Sequence, residues 1–62
     1  MAETDKRYTV MVYFTDGASD LNEDVKSYPI QLDGMLTVVR TDGEQRHYVL
    51  RNVQFYTVEP QA

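Results

Sequence analysis

The stretch "VVRTDGEQRHYVL", Val38 to Leu50, decides the fold. Asp42-Gly43 lies at its centre, between two runs in which apolar and polar residues alternate. Asp-Gly supplies the positive backbone dihedrals that a tight hairpin turn demands. Alternation with period two marks a strand with one covered face. The stretch and its flank therefore read as two antiparallel strands, 35–40 and 45–50, joined by Thr41-Asp42-Gly43-Glu44. Leu36 and Val38 share one face of the first strand, Met35 and Val39 the other. On the second, Tyr48 and Leu50 take the core side and His47 and Val49 the opposite side. Arg40 and Arg46 share parity with core positions, so both are expected beyond the end of the core, near the hairpin tip.

The same pattern extends outward. "YTVMVYFT", 8–15, sends Tyr8, Val10, Val12 and Phe14 one way and Thr9, Met11, Tyr13 and Thr15 the other. "SYPIQL", 27–32, aligns Tyr28, Ile30 and Leu32, and Pro29, which has no N–H to donate, assigns this run to a sheet edge. Asp33-Gly34 is a second two-residue turn. Arg51-Asn52 breaks the pattern before "VQFYTVE", 53–59, resumes it. Val53, Phe55 and Thr57 share one face there, and Gln54, Tyr56 and Val58 the other. "DGASDLNEDVK", 16–26, reads as a long acidic loop. Ser19 or Asp20 would cap one helical turn, with Glu23 completing a capping box, and Leu21 and Val25 would then point the same way.

Five short strands make an all-β domain. The order of strand, long loop, three-strand meander, short break and closing strand fits a small SH3-like or Sm-like barrel. A strongly curved open antiparallel sheet is the alternative. The domain is expected to span 8–60, with a flexible segment at 1–7 and a tail at 61–62.

The chain has 62 residues, no Cys and one His. A domain of this size buries only about 60% of its unfolded surface, and small scaffolds commonly rely on a staple or a partner subunit. Without Cys there is neither a disulfide nor a thiolate metal site, which favours self-association. The absence of Cys also suits a reducing cytoplasm, and the expected location is the cytoplasm of the producing cell. No apolar run approaches the length of a membrane span, and "MAETDKR" does not resemble a signal peptide. The formal charge is −4, and all of that surplus lies in residues 1–36, where three basic residues face seven acidic ones.

No catalytic or cofactor motif is present. The three glycines are isolated, Ser19 and Ser27 lack a nucleophile elbow, and His47 has neither a nucleophile nor an orienting carboxylate beside it. The expectation is a non-enzymatic protein without a cofactor. Asp16, Asp20, Asn22, Glu23 and Asp24 offer oxygen ligands, but their spacing is not that of a calcium loop. Asp20, Glu23 and Asp24 read better as a contact for a basic partner. Arg40, Arg46, Tyr48, Arg51 and Tyr56 form the basic and aromatic set that a single-stranded nucleic-acid binder would use, and the net charge opposes that reading. Met11, Tyr13, Met35 and Tyr56 are the candidates for a protein or self interface, where Tyr is enriched.

Taken together, "YTVMVYFTDG", "YPIQLDGMLTVV" and "TDGEQRHYVLRNVQFYTVEP" resemble small proteins of tailed bacteriophages, especially those of actinobacteria. The resemblance covers about residues 8–60 and rests on strand and turn residues. It implies a virion component or a small protein that modulates a host factor, and it assigns no site residues.

Overall fold

A computed structural model describes residues 6–61. The expected flexibility of 1–5 and the end of the tail at 62 lie outside the described residues. The strands are β1 (Tyr8–Phe14), β2 (Ser19–Val25), β3 (Ile30–Leu32), β4 (Met35–Val39), β5 (Gln45–Val49) and β6 (Val53–Pro60). A 3₁₀ turn, Leu50–Asn52, separates β5 from β6 at the break the sequence signals. The protein is all-β, built as two antiparallel three-stranded sheets of order β2-β1-β6 and β3-β4-β5.

The main departure from expectation is residues 16–26. They form no helical turn: Ser19–Val25 is a strand, paired to β1 with Val10 opposite Asn22 and Val12 opposite Asp20. Only Thr15–Ala18 remains as connection, a tight turn closed by Phe14 N–H donating to Ala18 O and Gly17 N–H donating to Phe14 O. Strand period explains the change. Asp20 and Asn22 take the inward parity, and Ser19, Leu21 and Glu23 the outward one. Low strand propensity in this acidic run is overridden by tertiary pairing. Leu21 and Val25, expected on one side, part company because the β1–β2 register shifts between Tyr8 and Val10. Asp24 occupies that irregularity at φ 58°, a left-handed conformation that Asp tolerates better than most residues. Val25 is thereby turned into the core while Leu21 stays 48% exposed.

β2 and β3 run along one partner. Val25 bridges Arg40, the residue after β4, and Ile30 lies opposite Thr37. Lys26 N–H donates to Val39 O and Thr41 N–H to Asp24 O, so the two sheets are joined at this corner. The expected strand 27–32 shrinks to Ile30–Leu32, because Lys26–Pro29 carries the kink and Pro29 cannot donate. A register shift between Tyr13 and Phe14 in the β1–β6 pairing places Val53 on the core side with Tyr56 and Val58, away from Phe55. The ends also meet: Gln61 N–H donates to Arg7 O at 2.9 Å, so Arg7 and Gln61 are tied rather than loose.

The core lies between the sheets. Val10, Val12, Val25, Leu36 and Val38 are fully buried, with Tyr8, Phe14, Tyr48, Leu50, Val53, Tyr56 and Val58 packed around them. The alternating faces expected for β1, β4 and β5 account for most of this set. Turn chemistry accounts for the corners. Gly43 sits at φ 92°, and a β-carbon there would meet no atom within 4 Å. Gly43→Ala should therefore cost backbone strain alone, about 1–2 kcal/mol, seen as a Tm lower by roughly 5–15 °C. An unchanged Tm would show that the turn relaxes out of the left-handed region.

Candidate functional site

The inward parity of β2 and β5 brings four polar side chains together at the edge of the core, with Asn22 buried and Asp20 and Arg46 partly exposed. Asp20 and Asn22 come from β2, opposite the buried Val12 and Val10. Arg46 and Tyr48 come from β5, opposite the buried Val38 and Leu36. The Tyr48 hydroxyl donates to Asp20 Oδ2 at 2.7 Å and accepts from Asn22 Nδ2 at 3.1 Å. Arg46 approaches the same Asp20 oxygen at 3.7 Å. The cluster joins β2 of one sheet to β5 of the other through side chains; among the described residues these two strands share no backbone pairing.

Asn22 is 2% exposed, and its Oδ1 has no hydrogen-bond partner among the described residues. The Tyr48 pKa is raised from 10.0, first by burial and then by the proton it gives to Asp20, with the Asn22 bond opposing. The fold thus favours the neutral phenol. That stabilisation is present below the ordinary value and is lost as pH climbs through the raised one. The Arg46 guanidinium is held charged, chiefly by the Tyr48 hydroxyl and next by Glu44.

These contacts merge residues that the sequence assigns to rival surfaces. Arg46 and Tyr48, from the basic and aromatic set, meet Asp20, from the acidic set. Arg46 is not beyond the core at the hairpin tip, because its parity directs it at β2. Arg40 is at the tip, with Nη1 2.9 Å from Glu44 Oε1. Arg51 is exposed on the 3₁₀ turn. Tyr56 is not an outward contact: it lies opposite Val12 on the core side and accepts from Gln31 Nε2 at 3.0 Å. Asp24 lies at the corner near Arg7, 3.7 Å away, and of the acidic trio Glu23 is the one that is both exposed and outward. The basic and aromatic residues therefore do not gather on one open face.

Met11, Tyr13 and Met35 do face outward, half-buried by neighbours that the sequence reading did not include. Met11 lies opposite Leu21 on β2, and Tyr13 opposite Phe55 on β6. The Tyr13 and Phe55 rings are stacked at 4.5 Å. On the other sheet Met35 lies between Leu32 and Val49, and Thr37 between Ile30 and His47. Thr37 Oγ1 and His47 Nδ1 are 3.0 Å apart. Parity alone could have placed Leu32 and Val49 with Met35, had the register across the Asp33-Gly34 turn been followed into β5.

An open cleft of about 610 Å³ lies beside the polar cluster, lined by Phe14, Asp16, Tyr48, Asn52 and neighbouring residues. Thr15 N–H donates to Asn52 O between two residues of its lining. Among the described residues no three His, Asp or Glu side chains converge to hold a metal, and no helix is long and apolar enough to cross a membrane. No protein family, curated protein or solved structure matches this chain at a significant level.

Proposed function

We propose that this chain is a non-enzymatic interaction protein that associates with a second copy of itself, or with another protein, through the outward face of the β3-β4-β5 sheet. One observation carries the reading. Leu32, Met35 and Val49 lie directly opposite one another across all three strands, on the side away from the core. Leu32 is 68% exposed and Val49 43%, and Ile30 beside them is 51% exposed. Contiguous apolar patches on monomers are small, and larger ones mark interaction sites. Leu21 and Phe55 give the other sheet a second apolar outer face. Among the described residues the core holds five fully buried apolar side chains, so a partner that covers either face would add substantially to stability.

The resemblance to phage proteins supplies a setting, either a virion or the cytoplasm of an infected cell. Carboxylate partners of Arg40 and Arg46 weigh against the nucleic-acid alternative, since phosphate contacts need free cations. Sedimentation across a dilution series tests the proposal. The expected result is a concentration-dependent dimer that Leu32→Asp weakens by about tenfold or more, with an unchanged far-ultraviolet spectrum. A strict monomer at every concentration would remove self-association, leaving capture of a different protein as the surviving form.

A further inference from the structure

The chain carries three chemically identical Asp-Gly steps, and the fold treats them differently. At Asp16-Gly17, the Asp16 carboxylate accepts from Ala18 N–H at 2.9 Å and the Gly17 N–H donates to Phe14 O. At Asp42-Gly43, the Asp42 carboxylate accepts from Glu44 N–H at 2.9 Å and the Gly43 N–H donates to Arg40 O. An Arg40–Glu44 ion pair closes that turn further. At Asp33-Gly34, neither the carboxylate nor the glycine N–H has a partner among the described residues; only the Gly34 carbonyl is engaged, by Leu50 N–H. Asp33 also sits at φ 55°, a left-handed conformation that costs an L-residue energy.

We propose that Asp33-Gly34 is a spontaneous modification site, at which the chain converts Asp33 to isoaspartate ahead of its two sister steps. The Gly34 amide nitrogen attacks Cγ of Asp33. A bond forms between them, the Cγ–OH bond breaks, and one water leaves carrying the amide proton. Water then opens the resulting five-membered imide. Attack at the former main-chain carbonyl leaves the backbone running through Cβ and Cγ, and attack at Cγ restores aspartate. The reaction needs no oxidant, cofactor or enzyme, and its net mass change is zero.

The attacking nitrogen must be free and the turn must open. Asp33-Gly34 meets the first condition as it stands. It also meets the second most readily, because it joins β3, a three-residue strand whose side chains are all exposed, and such short, solvated pairings open at low free energy. At the other two steps, hydrogen bonds to both groups must break first. Isomerisation adds a methylene to the turn backbone. That would spoil the Leu32–Met35 pairing immediately beside it, and with it the outward apolar row.

The test is peptide mapping of the purified full chain, aged in mildly acidic buffer, with electron-transfer fragmentation to tell isoaspartate from aspartate. Residue 33 should lead residues 16 and 42 by roughly thirtyfold, the ratio set by two net hydrogen bonds, with a transient imide species lighter by one water. In strong denaturant the three rates should converge, which assigns the difference to the fold. Asp33→Glu, which would have to close a six-membered ring, should abolish the product at 33 and leave the other two unchanged. Equal native rates at the three steps, a lead by residue 16 or 42, or no product at 33 where the denatured chain gives one, would overturn the proposal. None of these readings depends on whether the chain self-associates.

Discussion

Leu36→Ala should leave the protein largely unfolded at room temperature. Leu36 is the largest fully buried apolar side chain. It sits in the middle strand of its sheet, between Gln31 and Tyr48, and looks across at the valines of β1. Truncating such a residue costs about 2–5 kcal/mol, from lost transfer energy and an incompletely collapsed cavity. A single core in a chain this short supplies about 3–5 kcal/mol of net stability. The loss and the reserve are therefore of the same size. A urea titration followed by circular dichroism should show little or no folded baseline for the variant. A loss below about 1 kcal/mol would mean that the core is plastic at this point, or that stability resides mainly in association.

The second large effect belongs to the polar cluster, and its sign depends on how many partners are removed. Tyr48→Phe deletes the hydroxyl that accepts from Asn22. Asp20 and Arg46 can turn to water, but Asn22 is buried and already has one orphaned oxygen. The variant would leave its amide wholly unsatisfied, at about 1–3 kcal/mol. Asn22→Leu in the same chain removes the stranded amide and adds apolar volume beside Val10. The double variant should thus regain most of the loss and match or exceed the parent, because replacing both partners of a buried polar pair can be neutral or stabilising. A double-mutant cycle of chemical denaturation measures this. Additive losses would show that the amide is hydrated in the parent and that the cluster is a surface feature.

Much of the fold is legible in the sequence because alternation and Asp-Gly turns act locally. Val10, Val12, Leu36 and Val38 follow from parity, and the break at Arg51-Asn52 becomes a 3₁₀ turn. Residues 19–25 are not legible, because their inward positions are Asp20 and Asn22, which read as solvated. Their reason for facing inward is Tyr48, 26 and 28 residues away, and no local rule reaches that far. Register irregularities at Asp24 and near Gln54 then change the parity of Val25 and Val53, each by a single step. The same long-range pairing dissolves the two charged surfaces that the sequence offers. The outward faces are read in part: Met11, Tyr13 and Met35 are found, but their cross-strand neighbours are fixed by register.

The pairing of β1 with β6 has a consequence during synthesis. Tyr8 is matched to Pro60 and Tyr13 to Phe55, so the first strand made waits for the last one before its sheet is complete. Closing so long a loop is slow compared with forming the local hairpins of β3, β4 and β5. Until β6 docks, β1 is paired only with β2, and its other backbone edge is left without a partner strand. An open strand edge is a template for pairing with another chain, so a molecule whose β6 has not yet docked on β1 is the form most exposed to aggregation.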